Sequence, residues 1–194
     1  MLNKALLGGM FCLVITSCST MNKIAVNSSS DLLYKASDAV QSEANLDMIR
    51  MSLPGNLTLI EGLLSASKNN QEILATLTKG YVGYAFSINE TDYFIDELEN
   101  KNSETNKIIA LKNYTKGLNF GLRYLATKEI SLSDLKSKMG DNASLMHIFD
   151  KRLSNTKMDL ETLMFTAQAL GAMINLQKDN IGLEKYFAKR TKAA

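Results

Sequence analysis

The sequence predicts an all-α fold, and three observations support this prediction. Apolar residues recur at intervals of three or four through most of the chain, which is the spacing of one helix face. No segment shows the sustained alternation of apolar and polar residues that is typical of a strand. One Pro, no Trp and ten Met among 194 residues suit helices better than a sheet with many turns. We therefore expect helical hairpins joined by short turns and stacked as a bundle or a solenoid.

The first eighteen residues resemble a bacterial lipoprotein signal. Lys4 supplies a positive charge, and the apolar run 5–16 is too short to span a bilayer as a helix. The sequence Ile-Thr-Ser-Cys then ends at Cys18, with small residues directly before the cysteine. In such signals a peptidase removes 1–17 and the thiol of the cysteine is lipidated. Cys18 is therefore the predicted lipidation site and membrane anchor; an ordinary signal peptide or an uncleaved anchor is the alternative.

Residues 18–30 are mostly polar and small, and we expect them to form the lipidated cysteine and a flexible tether. Ser30 precedes a run with helical apolar spacing and is predicted to cap it. The remaining chain, 31–194, is long enough to form one helical-repeat domain with its own core. The domain has no cysteine, so its stability must come from packing.

The first part of this domain contains the single proline. A helix is predicted from Asp31 to Val40, and a short second helix over 46–53 is capped by Asn45. Pro54 follows, and its ring forbids an undistorted helix through this point. A new helix is therefore expected to start near Pro54 and to end at the turn 67–70.

The rest of the chain contains several longer helical patterns. One pattern covers 71–88 and is expected to resume through 94–98, before a polar break at 99–106. The spacing predicts later helices over 105–127, 132–139, 143–153, 158–177 and 180–191. Lysine and arginine at the end of the last pattern favour a helix C-terminus there.

A weak internal repeat accompanies these helices. The sequence from Thr78 to Tyr84 resembles that from Thr115 to Gly121, at an offset of 37 residues. This offset is in the range of two-helix repeats such as tetratricopeptide units, and coincidence is the alternative. Glycine inside a helix costs about 1 kcal/mol relative to alanine. We therefore expect close helix–helix approach at the helical glycines, which are Gly80, Gly83, Gly117, Gly121 and Gly171.

Residues for catalysis or cofactor binding are scarce. His147 is the single histidine, and the cysteines are Cys12 and Cys18, so neither a His-centred metal site nor a Cys nucleophile is expected. No phosphate-binding glycine loop or paired-carboxylate arrangement is present. Removal of Lys4 with the signal lowers the formal net charge from +2 to +1. A charge this small does not indicate a nucleic-acid-binding protein. We expect no enzyme, no cofactor and no metal; Glu61 is read as a locally hydrogen-bonded carboxylate or a ligand contact.

Three ordered stretches resemble one known family. They are LPGNLTLIEGLL continuing to GYVGYAF in 53–86, ALKNYTKGLNFGLRYL in 110–125, and DLETLMFTAQALGAMIN in 159–175. Together they resemble the T-component of tripartite ATP-independent periplasmic (TRAP) transporters, lipoproteins built of tetratricopeptide-like hairpins. Phe165 and Leu170 replace the family's tryptophans, and the family usually continues into further helical pairs. The chain is accordingly expected to be a short divergent member or a truncated copy.

The resemblance implies a lipid-anchored periplasmic accessory protein of a solute transporter. It would bind the periplasmic solute-binding protein, and a small apolar ligand is a further implied role. The location implied is the bacterial envelope, and Ser19 in place of an aspartate favours the outer membrane by analogy. Homo-oligomerisation stays open.

Aromatic residues near the glycine-containing helices are the candidates for a groove or partner surface. A position in the core is the alternative for each of them, and we favour it for most. The candidates are Tyr81, Tyr84, Phe86, Tyr114, Phe120 and Tyr124.

Two other functional classes compete with the transporter interpretation. One is a scaffold or adaptor lipoprotein in envelope assembly with no ligand cavity. The other is a helical enzyme, which the lack of a nucleophile or a carboxylate pair disfavours.

Overall fold

All regular structure in the described part of the chain is helical. The computed structural model describes residues 2–178, with side chains from residue 21 onward. The α-helices are α1 (Leu2–Gln41), α2 (Leu46–Leu64), α3 (Gln71–Tyr84), α4 (Thr91–Leu98), α5 (Glu104–Thr127), α6 (Leu132–Ser137), α7 (Asn142–Arg152) and α8 (Lys157–Leu176). A π-helical segment, Ala85–Glu90, joins α3 to α4. The predicted all-α class is confirmed; the tetratricopeptide-like stacking stays a prediction, and the predicted helix 180–191 lies outside the described residues.

Most helix starts are set by side chains that accept backbone N–H groups. Asn45 caps α2 through the N–H groups of Asp47 and Met48, and Asn70 caps α3 through that of Ile73. Thr156 does the same for α8. Because these caps satisfy N–H groups that lack partners inside the helix, they fix the boundaries. The bounds predicted for α5, α7 and α8 differ from the observed ones by at most one residue.

One uninterrupted helix runs through Pro54, where we predicted a break. Pro54 lies inside α2 and is exposed. The carbonyl of Arg50 loses its helical partner, because proline has no N–H, but at this exposed surface water can replace the lost bond. Leu53 and Leu57, on either side of the proline, are buried against the core and hold the helix together. Burial of the apolar face therefore outweighs the break at the proline.

The segment expected to be a flexible tether is helical. Residues 21–30 belong to α1, and two of their polar side chains contact the start of α3. The amide of Asn70 donates to Asn27 Oδ1 and to Ser30 Oγ, both at 3.0 Å. Ser30 Oγ also donates to the backbone oxygen of Asn27, so Ser30 does not cap a helix. The polar composition of 21–30 indicated a linker, whereas in the structure its amide and hydroxyl groups contact the start of α3.

The π-helical segment makes one continuous helical path from α3 to α4. Ala85, Ile88, Asn89 and Glu90 are buried there. The amide of Asn113 in α5 donates to Asn89 Oδ1 at 2.7 Å. The wider helical turn thus places two polar side chains, Asn89 and Glu90, against α5.

Helix α3 is at the centre of the fold. It packs against α1, α2, α5 and α8, and α5 packs in addition against α8. Contacts of Gly117 with Val82 and of Asn113 with Asn89 show that α3 and α5 run antiparallel. The core residues include Ile73, Leu74, Leu77, Val82, Tyr114, Tyr124 and Leu125. The stretches of the weak repeat therefore lie on two helices that face each other.

Three of the helical glycines lie at close contacts between helices. A Cβ built on Gly117 would overlap Val82 and lie 3.2 Å from its backbone nitrogen. A Cβ on Gly121 would overlap Thr166, and one on Gly80 would lie 2.5 Å from Leu57 Cδ2. The prediction of close approach is confirmed at these three glycines. It is wrong for the remaining two, Gly83 and Gly171, which have no such atom within 4 Å.

Candidate functional site

A cleft of about 630 Å³ opens between α1 and α2, with α3 as its floor. Its volume is in the range of small-molecule sites. It is lined by Leu33, Ala36, Ser37, Val40, Gln41, Glu43, Leu46, Ile49, Leu53, Asn56, Leu57, Leu59, Ile60, Thr76, Lys79, Gly80, Gly83, Tyr84, Phe86 and Ser87. Most of these side chains are aliphatic or aromatic, so the cleft is predominantly apolar.

The cleft results from large side chains on the walls above small residues on the floor. Thr76, Gly80 and Gly83 give α3 a low surface between its two neighbours. Nothing lies within 4 Å of the Cβ position of Gly83, so this part of the floor is open. Leu53 and Leu57 close the α2 side and are buried.

The floor also carries a buried lysine. Lys79 is 3 % exposed, and its ammonium lies 2.6 Å from Asp38 Oδ1 and 3.0 Å from Glu161 Oε2. The hydroxyl of Tyr34 donates to the same Glu161 oxygen at 2.9 Å, and the Lys79 ammonium lies 5.6 Å from the Tyr34 ring. Lys157 pairs with the second oxygen of Asp38 at 2.6 Å. We call these five residues the Lys79 cluster.

The Lys79 cluster joins three helices through charge. Hydrogen bonds from Lys157 and Lys79 lower the pKa of Asp38 to about 2, so this carboxyl is ionised at neutral pH. Burial, together with its hydrogen bond to Glu161, raises the pKa of Tyr34 and keeps its hydroxyl protonated. Asp38 and Tyr34 are in α1, Lys79 is in α3, and Glu161 and Lys157 are in α8. The cluster therefore fixes the α1 wall of the cleft to its floor.

The structure separates the six aromatic candidates into three locations. Tyr84 and Phe86 line the cleft, where Tyr84 is half-buried and Phe86 is 57 % exposed. Tyr81 and Phe120 stack on each other with ring centroids 5.9 Å apart, away from the cleft lining. The other two, Tyr114 and Tyr124, are fully buried in the core.

Glu61 takes part in a local ion pair. Its carboxylate accepts hydrogen bonds from the hydroxyl of Tyr81 and from the ammonium of Lys116, the latter at 2.7 Å. Burial by itself raises the pKa of Glu61, but the two hydrogen bonds outweigh this effect and lower it. Burial and the hydrogen bond to Glu61 raise the pKa of Tyr81. This geometry agrees with the locally hydrogen-bonded alternative for Glu61.

The two core tyrosines each donate to a buried carboxylate. Tyr114 donates to Glu90, and Tyr124 donates to Asp159. Burial, followed by these hydrogen bonds, raises the pKa of both hydroxyls. Asp159 also pairs with Lys128 at 3.1 Å. These contacts connect helices in the interior.

Sequence reasoning missed the α1 side of the cleft and the Lys79 cluster. Leu33, Ala36 and Val40 have helical spacing, but the sequence does not show whether their face meets the core or a cavity. The burial of Lys79 could have been predicted, because Lys79 follows Thr76 and Thr78 within a helix that is otherwise mostly apolar. A lysine in such surroundings needs a carboxylate partner. Nothing in the sequence identified Asp38 as that partner.

The other predicted residues lie away from the cleft or beyond the described side chains. His147 is exposed on α7. Among the described residues, no group of His, Cys, Asp or Glu side chains is arranged to hold a metal ion. In the same part of the chain, no helix has the length and apolar character needed to cross a membrane. Cys18 lies in α1, where the side chain is outside the described ones, so its lipidation stays a prediction.

Comparison with known proteins gives one match. A family model described as TRAP transporter T-component matches residues 42–191. Neither the curated proteins nor the solved structures contain a match. The matched range includes α2 to α8 and begins directly after α1, so it contains the floor and the α2 wall of the cleft.

Proposed function

This chain belongs to the T-component family of TRAP transporters, and on that premise we propose that it is a lipid-anchored periplasmic protein that binds the transporter's solute-binding protein. Family membership associates the chain with a TRAP transporter and with the cell envelope, in an accessory role. The family is a transporter component and not an enzyme family. Binding of the solute-binding protein and of a ligand is the proposal made here.

The cleft is the observation that supports a ligand most directly. It has the volume and the apolar lining of a small-molecule site, and its floor is shaped by small residues. An apolar ligand that fills it would remove exposed apolar surface, including part of Phe86, from water. We propose that such a ligand binds there while the solute-binding protein docks on the surrounding helices.

The anchor is proposed from Cys18 and from the course of α1. A helix rises about 1.5 Å per residue, so Cys18 would lie about 22 Å along α1 from Leu33, the first lining residue. Lipid on Cys18 would then hold the cleft near the bilayer surface, facing the periplasm. We favour the outer membrane as the location, because Ser19 rather than an aspartate follows Cys18.

The test is capture of a TRAP-transporter solute-binding protein from the same host. Tagged full chain, solubilised in detergent from its native host, should retain that protein. Phe86→Ser changes an exposed residue on the cleft and should weaken capture if the partner docks across its mouth. Leu98→Ser is the matched control, because Leu98 is 83 % exposed and lies outside the cleft lining.

Loss of capture in both variants would argue against a specific role for the cleft mouth. If the folded wild-type chain captures no solute-binding protein at micromolar concentration, the proposed partnership is wrong. A scaffold lipoprotein in envelope assembly, with no ligand cavity, would then be the better interpretation.

A further inference from the structure

The cleft lining carries almost no charge that a ligand can use. Among the described residues that line it, the charged ones are Lys79 and Glu43. Glu43 is exposed, and its carboxylate accepts the backbone N–H of Asn45 at 2.7 Å. Within the described part of the chain, Lys79 is therefore the single cation on the floor.

The ammonium of Lys79 already has its partners. Two of its three protons face carboxylate oxygens, at 2.6 Å from Asp38 and 3.0 Å from Glu161. The Tyr34 ring covers another side at 5.6 Å. An ammonium group has three donors and no acceptor, so these neighbours leave little capacity for a ligand anion.

We infer that the cleft takes an uncharged apolar molecule and rejects its carboxylate analogue, and that Asp38 sets this preference by occupying the Lys79 ammonium. The inference rests on the proposed function of the cleft as a ligand site. It specifies the ligand class as neutral and the specificity-determining residue as Asp38.

The physical reason is the free energy of burying an unpaired charge. A ligand carboxylate that enters the cleft loses hydration and finds the floor cation neutralised. To pair with Lys79 it would have to displace Asp38 or Glu161, which would leave that carboxylate without its partner. An alcohol of the same chain length brings no charge, and desolvation of its hydroxyl costs far less than desolvation of a carboxylate. An alkane loses only apolar contact with water.

The test compares decanol with decanoate on the full chain carrying Cys18→Ser, which removes the expected lipid. Bound N-phenylnaphthylamine, a neutral dye that brightens in apolar sites, is displaced by each compound near neutral pH. We expect decanoate to require at least about tenfold higher concentration than decanol. Equal displacement, or stronger displacement by decanoate, would overturn the inference.

Substitution of Asp38 tests its assigned role. Asp38→Asn keeps a hydrogen-bond acceptor but removes the charge, so the decanoate-to-decanol ratio should fall severalfold. Asp31→Asn is the matched control on α1, because Asp31 pairs with the exposed Lys35 outside the cleft. An unchanged ratio in folded Asp38→Asn, or an equal fall in Asp31→Asn, would show that Asp38 does not set the preference.

Two further outcomes are distinguishable. If Asp38→Asn fails to give a cooperative melting curve, Glu161→Gln is used instead, because it removes the other negative partner of Lys79. The decanoate-to-decanol ratio should again fall. An unchanged ratio in Glu161→Gln counts against the inference. If the folded wild-type chain binds neither the dye nor decanol, the cleft is not a ligand site. That result overturns the ligand part of the proposed function, whereas binding without preference overturns the inference alone.

Discussion

At the residue scale, glycine and buried carboxylates control how closely the helices approach. Gly117 lets α5 contact Val82 and the backbone of α3, and Gly121 lets it contact Thr166 of α8. Asp159 then connects the start of α8 to α5 through Tyr124 and Lys128. These positions therefore combine a steric requirement with an electrostatic one.

Gly117→Ala should destabilise the protein by about 1–3 kcal/mol, because the added methyl group overlaps buried Val82 and the α3 backbone cannot retreat. Gly62→Ala is the control: nothing lies within 4 Å of its Cβ position, so better helix propensity should add about 0.5–1 kcal/mol. Urea unfolding followed by circular dichroism measures both. An equal gain in the two variants would show that Gly117 has no packing role.

Asp159→Asn should lower stability by about 1–3 kcal/mol at neutral pH. Burial raises the pKa of Asp159, but hydrogen bonds from Tyr124, Lys128, Thr156 and the Ser154 N–H outweigh it and hold the pKa below the ordinary value of 3.8. A lowered folded-state pKa means that the stabilisation is present above about pH 4 and is lost as the pH falls through the folded pKa.

The stability difference between wild type and Asp159→Asn should therefore shrink in urea titrations from about pH 7 to about pH 3. Asp31→Asn alters an exposed ion pair, so its free energy of unfolding should stay close to that of the wild type at every pH. A difference for Asp159→Asn that is constant with pH would contradict the ionised, hydrogen-bonded state of this carboxyl.

At the element scale, local sequence patterns account for where most helices begin and end. Departures from these patterns are caused by packing between helices. Asn45, Asn70 and Thr156 are short polar residues before apolar runs, and such caps can be recognised in sequence. The continuity of α2 through Pro54 and the helicity of 21–30 depend on contacts with α3 that are distant in sequence. A local pattern cannot contain the free energy of those contacts, so the sequence predicted a break and a tether there.

Pro54→Ala should raise stability by about 1–3 kcal/mol, because an N–H would again bond the carbonyl of Arg50 inside α2. Gly55→Ala, at the next position and with no atom within 4 Å of its Cβ position, should gain only about 0.5–1 kcal/mol from helix propensity. Thermal unfolding followed by circular dichroism compares them. A Pro54→Ala variant that melts no later than Gly55→Ala would indicate that the proline is not a local defect.

At the scale of the whole molecule, the cleft is formed by three helices together. The apolar pattern of each helix, taken alone, does not predict how the three pack. The spacing predicted α3 and parts of α1 and α2, and Tyr84 and Phe86 were among the candidate groove residues. The cavity itself depends on where α1 lies, and the Lys79 cluster fixes that position through partners 41 and 82 residues away along the chain. Such distant pairings are set by packing and are invisible to local periodicity.

Cys18→Ser should release the protein from the membrane fraction and abolish labelling by palmitate. Acyl chains contribute about 0.8 kcal/mol per buried CH₂, and several chains on one residue are needed for stable anchoring. Cys12→Ser, within the predicted signal, is the control and should leave both labelling and fractionation unchanged. Membrane association that persists without any loss of label in Cys18→Ser would contradict the lipid anchor.

The π-helical segment makes the chain tolerant of one particular length change. A π-turn holds one residue more than the α-helix around it, so loss of a single residue from 85–90 would give a continuous α-helix. Loss of a residue from an uninterrupted α-helix turns every later residue by about 100° around the axis, whereas here the wider turn already contains the extra residue. Asp92 would therefore stay near Arg50, which it now meets at 3.0 Å. A one-codon deletion there would thus preserve both the helicity and the face that α4 presents, and its cost would fall on the buried contacts of 85–90 with α5.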